Sequence, residues 1–297
     1  MEKGLILALF AAVGFALTII LVRKGTYHAG ESFTATFVSI FTGVIFFAFL
    51  VLITGDWENL LILEWSEFLR LGGAGVLHYV LGRSLSYTSI RLIGANRTST
   101  ILRTQILYPL VLGITVLHEP LTVFLIIGVL CVAIGATLVS MERSKKDVSM
   151  EDRSSLTKGV LVCLAGALCW GLSGVIIKPI VQQIGTPFAA GLISYIAASL
   201  IMTGFLFIKS QREQLTRLKH DVLIIIILAG FLAAIAQLLR FSALIYSPVS
   251  IVEPIIGISG VFVFLFSFMI NRKIEVFTWR VFMGIVLASA GAFLFFQ

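Results

Sequence analysis

Charged residues are scarce in this sequence. Asp, Glu, Lys and Arg make up 12% of its 297 residues, and 59% are hydrophobic. A soluble domain carries about 25% charged residues and is about half apolar. The scarcity of charge therefore excludes an ordinary soluble domain, a disordered region and a collagen-like fibre. The net charge of +7 lies mostly in short connections between apolar runs, which favours membrane topology over nucleic-acid binding as its explanation.

Cysteines and catalytic motifs are also few. Cys131, Cys163 and Cys169 all lie in apolar runs, so a disulfide framework is not expected. The sequence has no Cys/His cluster, dinucleotide-binding loop, P-loop or nucleophile elbow. We expect no metal, no cofactor and no nucleotide-driven pumping by this chain alone. A membrane-embedded enzyme is the weakest alternative, because no nucleophile and base are suitably spaced.

Ten apolar runs are long enough to cross a bilayer. A bilayer core about 30 Å thick needs about 20 apolar residues of α-helix, whereas barrel strands would alternate over about ten residues. The first run has no small-residue cleavage site and is followed by Arg23 and Lys24, so we interpret it as a span and not as a signal peptide. The predicted fold class is all-α integral membrane, with ten transmembrane helices. They cover residues 4–22, 33–54, 68–88, 95–117, 120–141, 157–178, 187–208, 222–244, 249–270 and 277–296.

The chain contains an internal duplication. Its most hydrophilic stretch, 142–156, separates a first predicted five-helix repeat, 1–141, from a second, 157–297. Both repeats end in one motif, repeated at an offset of 156 residues. Glu119, Gly128 and Gly135 correspond to Glu275, Gly284 and Gly291.

An odd number of spans in each repeat requires the two repeats to insert in opposite senses. The connection between spans 2 and 3 is acidic, with Asp56, Glu58, Glu64 and Glu67, whereas its duplicate between spans 7 and 8 is basic. Most Lys and Arg residues follow odd-numbered spans, and cytoplasmic loops carry an excess of these residues. The sequence predicts two inverted repeats in the plasma membrane, with both termini outside. This plan recurs in secondary transporters.

The repeated motif has a close counterpart among known transporters. A short turn with Glu, Gly nine residues later and Gly-Ala seven beyond that resembles the EamA-type branch of the drug/metabolite transporter superfamily. Cys169-Trp170-Gly171, before a helix ending in Lys178, resembles the aromatic-bearing start of each repeat in that family. The resemblance covers essentially the whole chain. It implies a central cavity bounded mainly by helices 1, 3, 4, 6, 8 and 9, with helices 5 and 10 packing the repeats together. Substrates in the family range from amino acids, sugars and sugar phosphates to quaternary amines and drugs.

Charged side chains inside predicted spans cost about 2.5–3.5 kcal/mol each on insertion scales, and five of them are candidates for function. They are Arg83, Arg97, Arg103, Arg240 and Glu253. All lie in spans that the resemblance assigns to the cavity, which gives an excess of positive charge there. Guanidinium groups bind carboxylate and phosphate through a bidentate fork, so Arg83, Arg103 and Arg240 are predicted to bind an anion. Arg97, near the start of its span, is expected to extend to the interface.

Aromatic residues accompany these arginines. Tyr79 and Tyr87 lie four residues to either side of Arg83, which is the spacing of one helical face. With Trp170, they are predicted to shape the cavity around an anion that has an organic body. The alternatives are a structural arginine braced by tyrosines and a tryptophan that only packs between helices.

Polar groups of spans 8 and 9 complete the predicted site. Gln237 and Arg240 share a face of span 8, and Glu253 follows a short connection later. Glu253 is interpreted either as the partner of Arg240 in a structural ion pair or as a proton carrier that Arg240 tunes. The family's mid-helix proline of the ninth helix is replaced here by the Glu253-Pro254 pair near the start of the span. Glu119 and Glu275 are interpreted as helix-start residues favoured by the helix dipole.

The predicted function is secondary transport of a small anionic organic metabolite, an organic acid or a phosphorylated compound, by alternating access. Two rivals remain open. One is an exporter of amino acids or amphipathic drugs, with the arginines held in internal pairs, and the other is a translocator of a phosphorylated lipid. The expected partners are the small-molecule substrate, the lipid bilayer and a coupling proton or counter-substrate, without nucleic acid.

Overall fold

The computed structural model describes residues 2–28, 32–108, 123–141, 150–247, 252 and 255–294. This part of the chain is almost entirely helical and contains no strand, so the prediction of an all-α fold is confirmed. The α-helices are α1 (Glu2–His28), α2 (Ser32–Thr54), α3 (Trp57–Ile62), α4 (Trp65–Gly75), α5 (Arg83–Ile93), α6 (Ala95–Ile101), α7 (Val123–Met141), α8 (Met150–Ile184), α9 (Phe188–Gly204), α10 (Lys209–Thr216), α11 (His220–Tyr246), α12 (Ser259–Ile270) and α13 (Trp279–Leu294). A π-helical segment, Val76–Gly82, joins α4 to α5, and 3₁₀ segments, Leu102–Ile106 and Phe205–Phe207, follow α6 and α9.

Five of the described helices are long and apolar enough to cross a membrane. Lipid offers no hydrogen-bond partners to the backbone, which favours helices because their N–H and C=O groups bond internally. The predicted third span is divided by the π-helical segment, and the fourth changes to 3₁₀ geometry after Ile101. The five long apolar segments are Glu2–Thr26, Ser32–Thr54, Ser154–Ile184, Phe188–Phe207 and His220–Tyr246. Shorter apolar helices are Ile126–Val139, Ile255–Ile270 and Trp279–Gly291.

The predicted linker, 142–156, is partly helical. Helix α8 begins at Met150 and continues through the predicted sixth span to Ile184. The second part of the linker therefore belongs to the helix that follows it.

Helix pairing follows the duplication. Helix α1, in span 1, packs along α11, in span 8. Helix α5, in span 3, packs against α8, in span 6. Exchanging the two repeats exchanges these two pairs, whereas α7 with α13 and α2 with α9 are pairs of equivalent helices. The contacts thus have the pattern of a two-fold axis between the repeats.

Helices α7 and α13 are antiparallel and approach each other closely at glycines. A Cβ placed on Gly284 would lie 2.8 Å from the carbonyl oxygen of Gly135, and one on Gly291 would lie 2.7 Å from that of Gly128. Only residues without a side chain permit this approach. The glycines that reveal the duplication in the sequence are therefore the residues that join the two repeats.

Two carboxylates extend from one repeat to the start of a helix in the other. Asp56 Oδ2 accepts hydrogen bonds from the N–H of Ala189, in the first turn of α9 (2.9 Å), and from Thr186 Oγ1 (3.0 Å). Glu275 accepts from the N–H of Ala95 (2.8 Å) and of Asn96 (3.1 Å) at the start of α6. Helix starts carry unpaired N–H groups that favour anions, so each carboxylate caps a helix of the opposite repeat.

Glu275 was expected to stabilise the start of the helix that follows it, but it caps α6 of the other repeat instead. Its carboxylate also pairs with Arg23 at the end of α1, with Arg23 Nε 2.8 Å from Glu275 Oε1. Gly94, with φ of +89°, gives the chain a conformation that residues with a Cβ rarely adopt and brings the start of α6 to the carboxylate. Burial raises the pKa of Glu275 above its usual range, although Arg23 and the two N–H groups act in the opposite direction. The equivalent residue of the first repeat, Glu119, lies outside the described residues.

Candidate functional site

A cavity lies between the two repeats. Its lining comes from α1, the third span, the fourth span, α8, α11 and the residues around the start of α12, which are the six spans that the resemblance implies. The described lining residues are Phe15, Thr18, Ile19, His78, Arg83, Ser86, Tyr87, Leu102, Arg103, Gln105, Trp170, Ala233, Gln237, Arg240, Ile256 and Ser259.

Six of the eight predicted site residues line this cavity. The sequence places them on four different spans, and the fold brings them to one space. Of the other two, Tyr79 lies behind the lining, and Glu253 lies outside the described residues. The six are Arg83, Tyr87, Arg103, Trp170, Gln237 and Arg240.

Arg83 is a buried cation held by neutral groups. Its side chain donates to Tyr195 Oη (2.9 Å) and Ser39 Oγ (3.3 Å). The guanidinium carbon lies 4.7 Å from the ring centroid of Tyr79 and 5.4 Å from that of Tyr195. No carboxylate of the described residues lies within ion-pair distance of Arg83.

Tyr79 does not line the cavity, contrary to its predicted role as a cavity wall. Its ring is fully buried and stacks on Tyr195, with 4.0 Å between ring centroids. Tyr79 belongs to the π-helical segment, where each turn holds an additional residue and the regular spacing of an α-helical face is lost. The tyrosine therefore supports Arg83 from behind, while Tyr87, on regular helix α5, stays in the lining.

Arg103 joins the fourth span to the ninth. Its Nε donates to Ser99 O within its own span (3.1 Å), whereas Nη1 donates to Ile256 O (3.2 Å) and Nη2 to Ser259 Oγ (2.9 Å). Three of its five N–H groups are therefore engaged by these neutral oxygens. Arg103 both connects the repeats and presents its charge at the cavity wall.

Gln237 and Arg240 face the cavity from α11, one turn apart. Gln237 is 1% exposed, and within the described residues neither its Oε1 nor its Nε2 has a hydrogen-bond partner. Arg240 is also buried, with Nη2 near the backbone of Gly174 on α8. The two residues place an amide and a cation at neighbouring levels of one wall.

Trp170 is fixed by His78, a lining residue that the sequence-based site omits. The two rings stack with 5.6 Å between centroids, and Trp170 Nε1 donates to the carbonyl oxygen of His78 (3.0 Å). His78 Nδ1 in turn lies 2.8 Å from Ser173 Oγ. These contacts join the π-helical segment to α8, so the tryptophan wall is rigidly positioned.

Other supporting residues come from spans that carry no charge in the sequence. Ser39 of α2 and Tyr195 of α9 hold Arg83, although spans 2 and 7 gave no candidates. Nothing in their sequence context distinguishes these hydroxyls from ordinary packing residues. The sequence-based site also omits Ser86, a lining residue whose spacing of three residues from Arg83 was the signal that could have identified it.

The charge of the described lining is entirely positive. Arg83, Arg103 and Arg240 contribute three guanidinium groups, and no described lining residue is acidic. Arg97 is the fourth arginine that the sequence placed within a span. It is not among the described lining residues, and at 4% exposure it is buried and does not extend to the interface as expected. The described residues also contain no group of His, Cys, Asp and Glu arranged to hold a metal.

The comparisons with known proteins agree with this architecture. The EamA-like transporter family model matches residues 2–141 and 157–297. A solved structure described as "Crystal structure of protein" is similar in fold, with a TM-score of 0.64 over 98% of this chain and 96% of that chain, at 14% sequence identity. No curated protein matches the sequence. The two matched stretches cover almost the whole chain, so the protein is an all-helical integral membrane protein of the EamA-like transporter family, a family of small-molecule transporters.

Proposed function

We propose that the protein moves a small organic anion across the plasma membrane by alternating access. The observation that carries the proposal is Arg83, a buried guanidinium whose described contacts are all with hydroxyls and aromatic rings. A buried charge is costly unless it is paired. An anionic substrate in the adjoining cavity supplies the missing charge.

The other arginines of the cavity support the same substrate charge. Arg103 and Arg240 line the cavity with Arg83, and a guanidinium group matches the geometry of a carboxylate or phosphate. Trp170, Phe15 and Ile19 supply apolar walls. An anion with an organic body fits this combination better than an inorganic ion.

The arrangement of the repeats supports alternating access. The cavity lies between two inverted units, and transporters of this plan expose a central site to each side in turn. Asp56 and Glu275 each join one repeat to a helix start of the other, so their contacts change when the repeats rock. A coupling proton or a counter-substrate supplies the driving force in this proposal.

The rival in which the protein exports amino acids or amphipathic drugs requires the arginines to be locked in internal ion pairs. The described contacts of Arg83 contain no such pair. A site for a quaternary amine would also place acidic groups or an aromatic cage around the ligand. The positive lining argues against a cationic substrate.

Thermal stabilisation of the purified protein by a panel of anions, cations and zwitterions tests the proposal, because a ligand that binds the folded state raises the melting temperature. We expect stabilisation by organic carboxylates or phosphates and its loss in Arg83→Gln. Arg70→Gln, a replacement on the exposed surface of α4, is the matched control and should respond as the wild type does. Stabilisation by cations or zwitterions alone, unchanged in Arg83→Gln, contradicts the proposal. Stabilisation by phospholipids but not by water-soluble anions would favour a lipid translocator instead.

A further inference from the structure

Gln237 is a buried amide with no hydrogen-bond partner among the described residues. It is 1% exposed, and among these residues neither its Oε1 nor its Nε2 has a partner. Leaving a buried donor or acceptor unpaired carries a substantial desolvation cost. Because Gln237 lines the cavity, its donor and its acceptor lie in the wall that a bound molecule contacts.

Ser86, in the first repeat, is a second buried polar residue of this kind. Its side chain is fully buried, its Oγ has no hydrogen-bond partner in the part of the chain that the structure describes, and it also lines the cavity. A hydroxyl, like an amide, both donates and accepts. The cavity therefore offers neutral hydrogen-bonding groups as well as its arginines.

The spacing of these groups is the same on the two helices. Ser86 follows Arg83 by three residues on α5, and Gln237 precedes Arg240 by three residues on α11. Residues three apart share a helical face and differ in height by about 4.5 Å. Each helix thus presents one cation and, one turn away, one neutral donor and acceptor.

We propose that the substrate carries a hydroxyl or amide group close to its anionic group, and that Gln237 and Ser86 recognise it. This inference rests on the proposed function and narrows its substrate class. Because the cation and the neutral group lie one helical turn apart on each helix, we expect the substituent within a few carbons of the carboxylate or phosphate. The class is therefore hydroxylated or amide-bearing organic acids and phosphate esters.

The positive charge of the cavity lining favours a substrate whose substituent is a hydroxyl over one whose substituent is an ammonium group. Three arginines line the cavity, and its described lining has no carboxylate to accept an ammonium charge. Like charges in a site of low dielectric repel strongly. A zwitterionic amino acid is therefore expected to bind less well than the hydroxy acid of the same skeleton.

Matched ligands test the inference with the full-length protein. Succinate, malate and aspartate share one carbon skeleton and differ by a hydrogen, a hydroxyl or an ammonium group, and propyl phosphate and glycerol 3-phosphate form a second series. In at least one series we expect the hydroxylated member to bind the wild type at least about tenfold more tightly than its deoxy analogue, because a site built to bind a hydroxyl discriminates against its absence. Aspartate should bind more weakly than malate.

A variant of Gln237 tests whether this residue causes the preference for hydroxylated over deoxy ligands. In Gln237→Leu the ratio between the affinities of the hydroxylated and deoxy ligands should fall, with Ser86 as the remaining partner of the substituent. Gln182→Leu, outside the described cavity lining, is the control and should keep the ratio. Equal affinities within both series in the wild type, or a preference that is undiminished in Gln237→Leu, overturn this inference but leave anion transport standing. Failure of all these anions to bind overturns both.

Discussion

At the scale of single residues, the site depends on how Arg83 is held without a carboxylate. Tyr195 and Ser39 accept its hydrogen bonds, and the ring of Tyr79 lies against the guanidinium. Hydroxyls and ring faces stabilise a cation less than an ion pair does. The residue therefore keeps a capacity to bind an anion, which a carboxylate partner would remove.

This view predicts an opposite effect of Arg83→Gln on stability and on binding. Without added anions, the melting temperature of Arg83→Gln should be equal to or above that of the wild type, because an unpaired buried charge has been removed. Stabilisation by the anion should be lost in the same variant. Melting curves with and without the ligand measure both effects, with Arg70→Gln as reference. A clear loss of stability in the unliganded variant would identify Arg83 as a structural residue.

The sequence was sufficient to predict the three arginines that line the cavity, whereas most of the other lining residues required the structure. Arginines within apolar runs are costly, so Arg83, Arg103 and Arg240 could be identified without a structure. The position of Tyr79 could not be predicted, because nothing in the sequence reveals that Val76–Gly82 is π-helical. The binding roles of all these residues remain predictions.

At the scale of elements, the two repeats are joined where glycines let helices approach. Gly284 and Gly135 meet at the crossing of α13 and α7. Their repeated spacing was visible in the sequence, whereas the cap that Glu275 forms on α6 was not, because it joins positions far apart in the chain. Periodic patterns could therefore be predicted from the sequence, and long-range polar contacts required the structure.

The glycine crossing predicts opposite effects for two similar substitutions. Gly284→Ala places a Cβ 2.8 Å from the carbonyl oxygen of Gly135 and should destabilise the protein by about 1–3 kcal/mol, as overpacking does. Gly73→Ala, in helix α4, meets nothing within 4 Å and should stabilise by up to about 1 kcal/mol through helix propensity. Denaturation midpoints in detergent measure the two effects. Equal responses would show that the close approach of α7 and α13 is not important for stability.

At the scale of the whole molecule, two inverted units enclose a positively charged space. Helices α1 and α11 pair across the units, as do α5 and α8. Loop charges predicted the opposite insertion of the two repeats from the sequence alone, because the acidic connection after α2 contrasts with the basic one after α9. The resemblance to the family implied a cavity between these spans, whereas the identity of its lining residues required the fold, since they come from six spans distributed along the chain.

The predicted orientation can be measured by labelling single cysteines in intact cells. Glu58→Cys and Ser210→Cys both place the thiol at an exposed position, in a background whose three native cysteines are replaced by alanine. The positive-inside rule predicts that an impermeant maleimide labels position 58 from outside and labels position 210 only after the cells are opened. The reverse pattern would show that both termini are cytoplasmic.

Exchange of an anion through purified protein in liposomes tests the central claim most directly. The tracer is the anion that gives the greatest thermal stabilisation, and wild type, Arg83→Gln and Arg70→Gln are compared at equal amounts of protein. A hydrogen-bonded charge pair contributes about 1.5–3 kcal/mol, and each 1.4 kcal/mol is a factor of ten. We predict that the affinity of Arg83→Gln for the anion, and its exchange rate at low anion concentration, are at least about tenfold below those of the wild type. Arg70→Gln should match the wild type in both. Anion exchange by Arg83→Gln at the wild-type rate, or exchange of cations alone by the wild type, would contradict the account.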